Sequence, residues 1–224
     1  MPIGARIRAS FPRPSADLVA RFAGLAVCDV ADATGRLYLA DPAISPVGGG
    51  ERLVGTALPV LCRPDDNLMI HAAIDRAQPG DVLVVAAGGG TAFALVGELV
   101  SLWAKYRGVA GFVLDGAARD VESLALPVFA RGRSARQPHK AAPGEVGYAV
   151  GLGGVRVEPG DIIVADADGV AVVPQADAEA VLERVAQLAA KDAAAKAHMA
   201  AGTFDRTWVA AALKAAGVEE EEAP

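Results

Sequence analysis

Two cysteines, Cys28 and Cys62, are all the thiols in 224 residues. They share no CxxC spacing and sit among apolar neighbours, so no disulfide framework is expected. The simplest reading is a reduced, cytoplasmic chain in which both thiols pack as small hydrophobes. Aromatic residues are scarce, at 5%, and positive charge is in deficit: 21 Lys and Arg against 27 Asp and Glu give a net charge of −6. That balance argues against nucleic acid as a partner, because backbone binding needs a basic face. No apolar run approaches the ~20 residues of a membrane span, and the N-terminus lacks a charged-then-apolar signal layout. His71, His139 and His198 have no ligand spacing and no cysteine cluster beside them, which argues against zinc. His71, on an apolar helix, reads as structural. None of the five lysines interrupts an apolar strand, where desolvation could ready it for Schiff-base chemistry. GxGxxG after a strand, a Walker loop, HExxH and GxSxG are absent.

What is present is a globular composition, 53% hydrophobic and 21% charged, in a chain long enough for a sizeable core. "SADLVARF" has an N-cap serine before apolar residues at helical spacing, and "AVCDVADATGRL" reads as a second helix stopped by Gly35. "TALPVLC" is expected as a strand, "DNLMIHAAIDRA" as a helix and "VLVVAA" as a buried strand. "GGGT" (from Gly88) then leads into a helix spanning "AFALVGELVSLWAKY". "VAGFVLD" is the next strand. "GGVRVEPGDIIVADADGVAVVP" reads as three short strands joined by Pro-Gly-Asp and Asp-Gly turns. Helices follow over about 176–200 and 206–215. "QPGDVLVVAA" and "EPGDIIVADA" repeat one turn-plus-strand pattern 80 residues apart, as two similarly built strands of one compact domain would. Alternating strands and helices followed by a β-dense half predict an α/β fold, a layered β/β/α domain.

The chemistry, if any, gathers in "LDGAARDVESL", where Asp115, Arg119 and Asp120 crowd the end of a strand. Glu98 lies 21 positions before Arg119, with a helix and a strand between, so both can return to one end of the sheet. A helix start at Gly97–Leu99 would offer N–H groups to a carboxylate. Arg119 could add a bidentate contact, and Asp120 could hold a hard cation such as Mg²⁺. The same residues also read as an ion pair, with Asp120 capping the helix at "VESL" and Asp115 in a turn. "RGRSAR" (Arg131, Arg133, Arg136) reads either as an anion site or as a solvated loop.

"CDVADATGR", "DNLMIHAAIDRAQPGDVLVV", "GELVSLWAKYRGVAGFVLDGAARDVESL", "PVFARG" and "GGVRVEPGDIIVADADGVAVVP", taken together, resemble the family of 4-hydroxy-4-methyl-2-oxoglutarate/4-carboxy-4-hydroxy-2-oxoadipate aldolases and the regulator of ribonuclease activity A. The resemblance runs from roughly Ala26 to Gly202. It implies a single domain over 1–224 of the swivelling β/β/α kind. A helical extension at 176–218 would pack on a neighbouring subunit of a homotrimer or homohexamer, and 219–224 would form an acidic tail.

For function the resemblance implies a lyase: a divalent-metal-dependent (class II) pyruvate aldolase that cleaves 4-hydroxy-2-oxo di- or tricarboxylates, with oxaloacetate decarboxylase activity from the same enolate. The alternative it carries is a non-catalytic regulator that binds a ribonuclease. The family's acid-x20-Arg-Asp signature falls on Glu98, Arg119 and Asp120. By that resemblance Asp120 is the ligand of Mg²⁺ or Mn²⁺ and Arg119 contacts the pyruvate moiety. The backbone of Gly97, Glu98, Leu99 and Val100 cradles its carboxylate, and Glu98 activates a water. Asp192 of an adjacent subunit supports metal-bound water. The signature usually begins with Asp, and this chain has Glu98. The usual "GGD" after the strand is "GGG" here.

Overall fold

A computed structural model describes residues 4–8, 10–141 and 143–219. Chain contacts divide into two compact units, Met1–Val185 and Ala186–Pro224. In the first, β1 (Arg6–Ile7) precedes α1 (Ala16–Ala20) and α2 (Val27–Ala33). Ser15 caps α1 by accepting the Leu18 N–H, and Gly35 follows α2 at φ 65°, as the composition of both segments implied. Next come β2 (Ser45–Gly48), β3 (Leu53–Leu61), α3 (Leu68–Ile74), β4 (Asp81–Ala86), β5 (Ala94–Val96), α4 (Glu98–Tyr106), β6 (Gly111–Ala118) and β7 (Val128–Arg133). The β-dense part holds β8 (Glu145–Val146), β9 (Val150–Leu152), β10 (Val155–Val157), β11 (Ile162–Asp166) and β12 (Gly169–Val173).

Ten strands form one sheet in the order β1-β8-β3-β4-β6-β7-β2, with β5 beside β6 and the β11–β12 hairpin joined to β3; β9 and β10 pair separately. β3, β4, β6 and β7 run parallel. Side chains alternate across a strand, and β4 shows what this achieves. Leu83 and Val85 join Ile70, Ile74, Phe112 and Leu114 in the core on the helical side. Val82 and Val84 join Val113, Phe129, Leu152, Ile163 and Val172 under the smaller β layer. Apolar residues on both faces make β4 a continuous hydrophobic run, as expected of a strand covered on two sides. The layering is β/β/α.

The repeated Pro-Gly-Asp pattern builds one turn twice. Asp81 accepts the Gln78 N–H (2.9 Å) and Asp161 accepts the Glu158 N–H (2.8 Å), each carboxylate reaching back three residues. The strands so launched flank β3 on either side: Thr56 stands opposite Asp81 in the parallel pair and opposite Ile162 in the antiparallel one.

Three readings are corrected. The helix expected to start near Ala92 begins at Glu98, because Ala94–Val96 forms β5 and Gly97 is extended (φ −144°). Asp115 is not in a turn; β6 runs on to Ala118 and Asp115 is buried within it. The first half of "RGRSAR" is strand rather than loop, and Arg131 pairs with Asp115 and, at 2.7 Å, with Asp41.

The long helix α5 (Ala178–Ala200) begins in the first unit, and α6 (Thr207–Ala215) belongs to the second. In the second unit Met199, Phe204, Trp208 and Val218 are exposed. Asp192 is also exposed there, on α5. The acidic tail beyond Glu219 lies outside the described residues. No helix among the described residues is long and apolar enough to cross a membrane.

Candidate active site

In open α/β sheets, ligands gather beyond the carboxyl ends of parallel strands, and here β5 and β6 end together. Ala94 registers with Ala117 and Val96 with Ala118, and the Arg119 N–H donates to the Val96 carbonyl (2.9 Å). The two strand ends therefore deliver Gly97 and Arg119 side by side. A Cβ on Gly97 would stand 2.7 Å from Asp120 Oδ2 and 2.9 Å from Arg119 Cγ, so any side chain here would push those two groups aside.

Asp120 is left-handed (φ 51°, ψ 40°), which for a non-glycine residue costs of order 1 kcal/mol and has to be held by its surroundings. The turn directs the carboxylate back onto α4. Its Oδ2 accepts the Glu98 N–H at 3.3 Å and lies 3.4 Å from Arg119 Nε. The expected cap on the following turn (Val121–Ser123) is not made by this side chain. The Arg119–Asp120 ion pair is present, but it is half-exposed and stretched. Both contacts fall on Oδ2.

Ser101 ties the two segments a second time. Fully buried, its Oγ donates to the Glu98 carbonyl (2.8 Å) and accepts the Ala125 N–H (3.0 Å). Both polar groups of the Glu98 main chain are thus tied to the stretch that begins at Asp120. An α-helix leaves its first N–H groups without intrahelical acceptors. The one on Glu98 goes to Asp120, and those on Leu99 and Val100 have no acceptor among the described residues. The Glu98 side chain is exposed and makes no hydrogen bond or ion pair among the described residues.

Two cavities meet at Arg119. The first, about 170 Å³, is lined by Leu95, Gly97, Leu99, Val100 and Arg119 on one side, and by Asn67, His71, Gln137 and Lys140 on the other. Asn67 donates to the Leu95 carbonyl (2.9 Å), yet its Oδ1 is buried without a partner among the described residues, as is His71 Nε2. Buried polar atoms of this kind are uncommon and mark places where a ligand or water completes the bonding. Burial, and then the charge of Lys140, hold the His71 imidazole below its ordinary value, so it is neutral at pH 7. Reading His71 as merely structural missed this placement. The available signal was the polar pair Asn67 and His71, four residues apart on one face of an otherwise apolar segment.

The second cavity, about 320 Å³, lies at Ala118, Arg119, Asp120 and Val121, with Arg133 and Ser134. Arg131 does not line it, being occupied by Asp115 and Asp41. The cysteines play no part in either cavity. Cys62 is buried and its thiol is pushed up to about 12. Cys28 departs from the expectation of a packed hydrophobe: it is exposed, 3.6 Å from Asp168.

The β/β/α layering, with α4 starting at the ends of parallel strands, makes this a layered α/β protein. The family model described as RraA-like, Aldolase/RraA, matches residues 26–172. The chain belongs to that family. It is 36% identical over 181 residues to a Halalkalibacterium halodurans protein named "Putative 4-hydroxy-4-methyl-2-oxoglutarate aldolase", covering 80% of this chain and 86% of the relative. A Burkholderia mallei protein of the same name is 37% identical over 157 residues, 67% of this chain and 94% of its own. Among solved structures, Streptomyces coelicolor RraAS2 superposes with a TM-score of 0.73 at 27% identity, over 84% of this chain and 99% of that one. RraAS2 is described as an unusual member of the RNase ES inhibitor RraA protein family.

Proposed function

We propose that this protein is a divalent-metal-dependent pyruvate aldolase, cleaving 4-hydroxy-2-oxo dicarboxylates such as 4-hydroxy-4-methyl-2-oxoglutarate, with oxaloacetate decarboxylation as a second outcome of the same chemistry. The observation that carries this reading is the convergence on Arg119 of two unmatched helix-start N–H groups, whose residues line the first cavity with it, and an acidic group, Asp120, which lines the second. A 2-oxo acid needs both: donors for its carboxylate and positive charge beside its carbonyl oxygen.

The donor set suits a hard, largely hydrated cation. Asp120 Oδ1 has no partner among the described residues, and the carboxylate is 44% exposed at the edge of the second cavity. No group of three or more His, Cys, Asp or Glu that could hold a metal ion occurs among the described residues. Mg²⁺ or Mn²⁺ at Asp120 would therefore be held by that one carboxylate, with water and substrate supplying the remaining oxygens. Such an ion supplies Lewis acidity to the 2-oxo group.

The protein's own groups do the rest. The Leu99 and Val100 N–H groups orient the substrate carboxylate. Arg119 stabilises negative charge as it develops on the C2 oxygen. Glu98, through a water, takes the 4-hydroxyl proton; the C3–C4 bond breaks, its electron pair passes to the pyruvyl half, and a carbonyl forms at C4. A proton returned to C3 gives pyruvate. In oxaloacetate the bond to the departing carboxylate breaks with the same flow of electrons. Asp192 of an adjacent subunit would complete the water structure, in an assembly of three or six chains. The exposed apolar residues of the 186–224 unit are the kind of surface such an assembly covers.

The test is pyruvate release, coupled to lactate dehydrogenase, from 4-hydroxy-4-methyl-2-oxoglutarate and from oxaloacetate. Turnover should require Mg²⁺ or Mn²⁺, stop with EDTA and be lost in Asp120→Ala with the fold intact. EDTA-insensitive turnover would overturn the metal role. No turnover on any 4-hydroxy-2-oxo acid would favour the rival reading suggested by the Streptomyces relative, a regulator that docks on a ribonuclease.

A further inference from the structure

We propose that Arg133 binds the second carboxylate of the substrate, the one carried by the half that leaves, in the cavity on the Asp120 side of Arg119. This rests on the aldolase reading above. The base of Arg133 is fixed: it closes β7 opposite Ala118, and the next residue, Ser134, donates its N–H to the Ala118 carbonyl (2.9 Å). The strand pairing therefore sets Arg133 beside the residue that precedes Arg119. Both arginines line the 320 Å³ cavity that also contains Asp120.

The charges around the site separate the arginines. Arg131 is matched by Asp115 and Asp41, and Arg119 lies against Asp120. Arg133 pairs with no carboxylate among the described residues. A guanidinium offers a planar fork that fits a carboxylate with two parallel bonds, and here no described residue supplies one to fill it.

The chemistry places a carboxylate within reach. With the pyruvyl carboxylate on the first turn of α4 and the C2 oxygen at Arg119, C4 is two bonds from C2, and its carboxylate one bond further. Arg119 is engaged by the pyruvyl half. Arg133 is then the remaining cation lining the second cavity. Lys140, in the first cavity, is the competing cation. It shares that space with the unpartnered Asn67 Oδ1 and His71 Nε2.

Two substrates and one exchange reaction separate these roles in the full-length metal-loaded protein. 4-Hydroxy-4-methyl-2-oxoglutarate carries the second carboxylate and 4-hydroxy-2-oxopentanoate lacks it. Exchange of the pyruvate methyl protons in D₂O, followed by NMR, uses the pyruvyl half alone. Arg133→Ala should lose about 10- to 100-fold in kcat/KM on the dicarboxylate, as expected for removing a hydrogen-bond partner of a charged group. It should keep methyl exchange and turnover of the monocarboxylate within about twofold. Arg133→Lys, which keeps the charge without the fork, should recover part of the loss. An equal loss on both substrates, no loss on either, or a selective loss found in Lys140→Ala instead would overturn the assignment. Wild-type protein that neither exchanges nor cleaves would overturn the aldolase reading and this inference with it. Wild-type activity with an unselective Arg133→Ala would overturn the inference alone.

Discussion

The Asp120 carboxylate accepts the main-chain N–H of Glu98 at 3.3 Å, across 22 positions of sequence. The two acidic residues of the signature therefore meet through backbone and side chain rather than as a pair of carboxylates. Their side chains are free for different tasks, one at the cavity edge beside Arg119 and the other exposed on the first turn of α4.

That contact depends on the absent side chain at Gly97. Gly97→Ala places a methyl 2.7 Å from Asp120 Oδ2 and 3.0 Å from Arg119 Nε, so both groups have to move. A displacement near 1 Å costs about 100-fold in turnover. Pyruvate release should fall by that order while circular dichroism still reports a folded α/β protein. Retained full activity would show that the close approach is irrelevant to catalysis.

Arg119→Ala should lose about 3 kcal/mol of transition-state stabilisation, which is more than 100-fold in kcat/KM. Lysine should not restore it, because Arg119 contacts Asp120 through Nε, an atom that lysine lacks. Steady-state kinetics on both variants decide the point. An unchanged kcat/KM removes Arg119 from the chemistry.

Ser101→Ala removes two part-buried hydrogen bonds, one from the Ala125 N–H and one to the Glu98 carbonyl, and leaves the Ala125 N–H without its acceptor. A loss of about 1–3 kcal/mol in urea unfolding is expected. If Ser101 also positions Asp120, Mn²⁺ should bind more weakly, by about tenfold, as for other groups that orient a ligand from behind. A stability loss with unaltered Mn²⁺ affinity would leave Ser101 a purely structural residue.

His71 gives a pH signature. Burial and Lys140 lower its folded value below the ordinary one near 6.5. Between those two values the unfolded chain binds more protons than the native one, so stability rises with pH. The contribution is complete above about 6.5 and is lost as pH falls from there through the lowered folded value. Urea unfolding at pH 7.5 and 5.5 should show wild type losing more stability on acidification than His71→Gln. Equal losses would show that His71 is not buried in its neutral form.

The sequence announced the layers because their signal is long: apolar strands, capped helices and two Pro-Gly-Asp turns that fold alike. It concealed β5 because Ala94, Leu95 and Val96 are buried on all sides, so no periodicity distinguishes three strand residues from a helical turn. Asp115 and Arg131 misled for a related reason. "DG" is common in turns and clustered arginines are common in loops, but a long-range pairing between neighbouring strands overrode both local preferences. Spacing and the family resemblance singled out Arg119 and Asp120, and the structure sets them against each other just beyond the end of β6. Asn67 and His71 did not stand out, since what sets them apart is that Asn67 Oδ1 and His71 Nε2 are buried without a partner among the described residues.

A grip made from main-chain N–H groups does not depend on which side chains stand above it. Leu99 and Val100 line the first cavity, and their amides sit at the helix start. Recombining residues at these two positions should therefore reshape the wall that a substrate meets and leave charge recognition as it is. Gly97, the one position without a side chain to vary, sets the limit of that freedom. The site offers an engineer a movable wall on a fixed anchor.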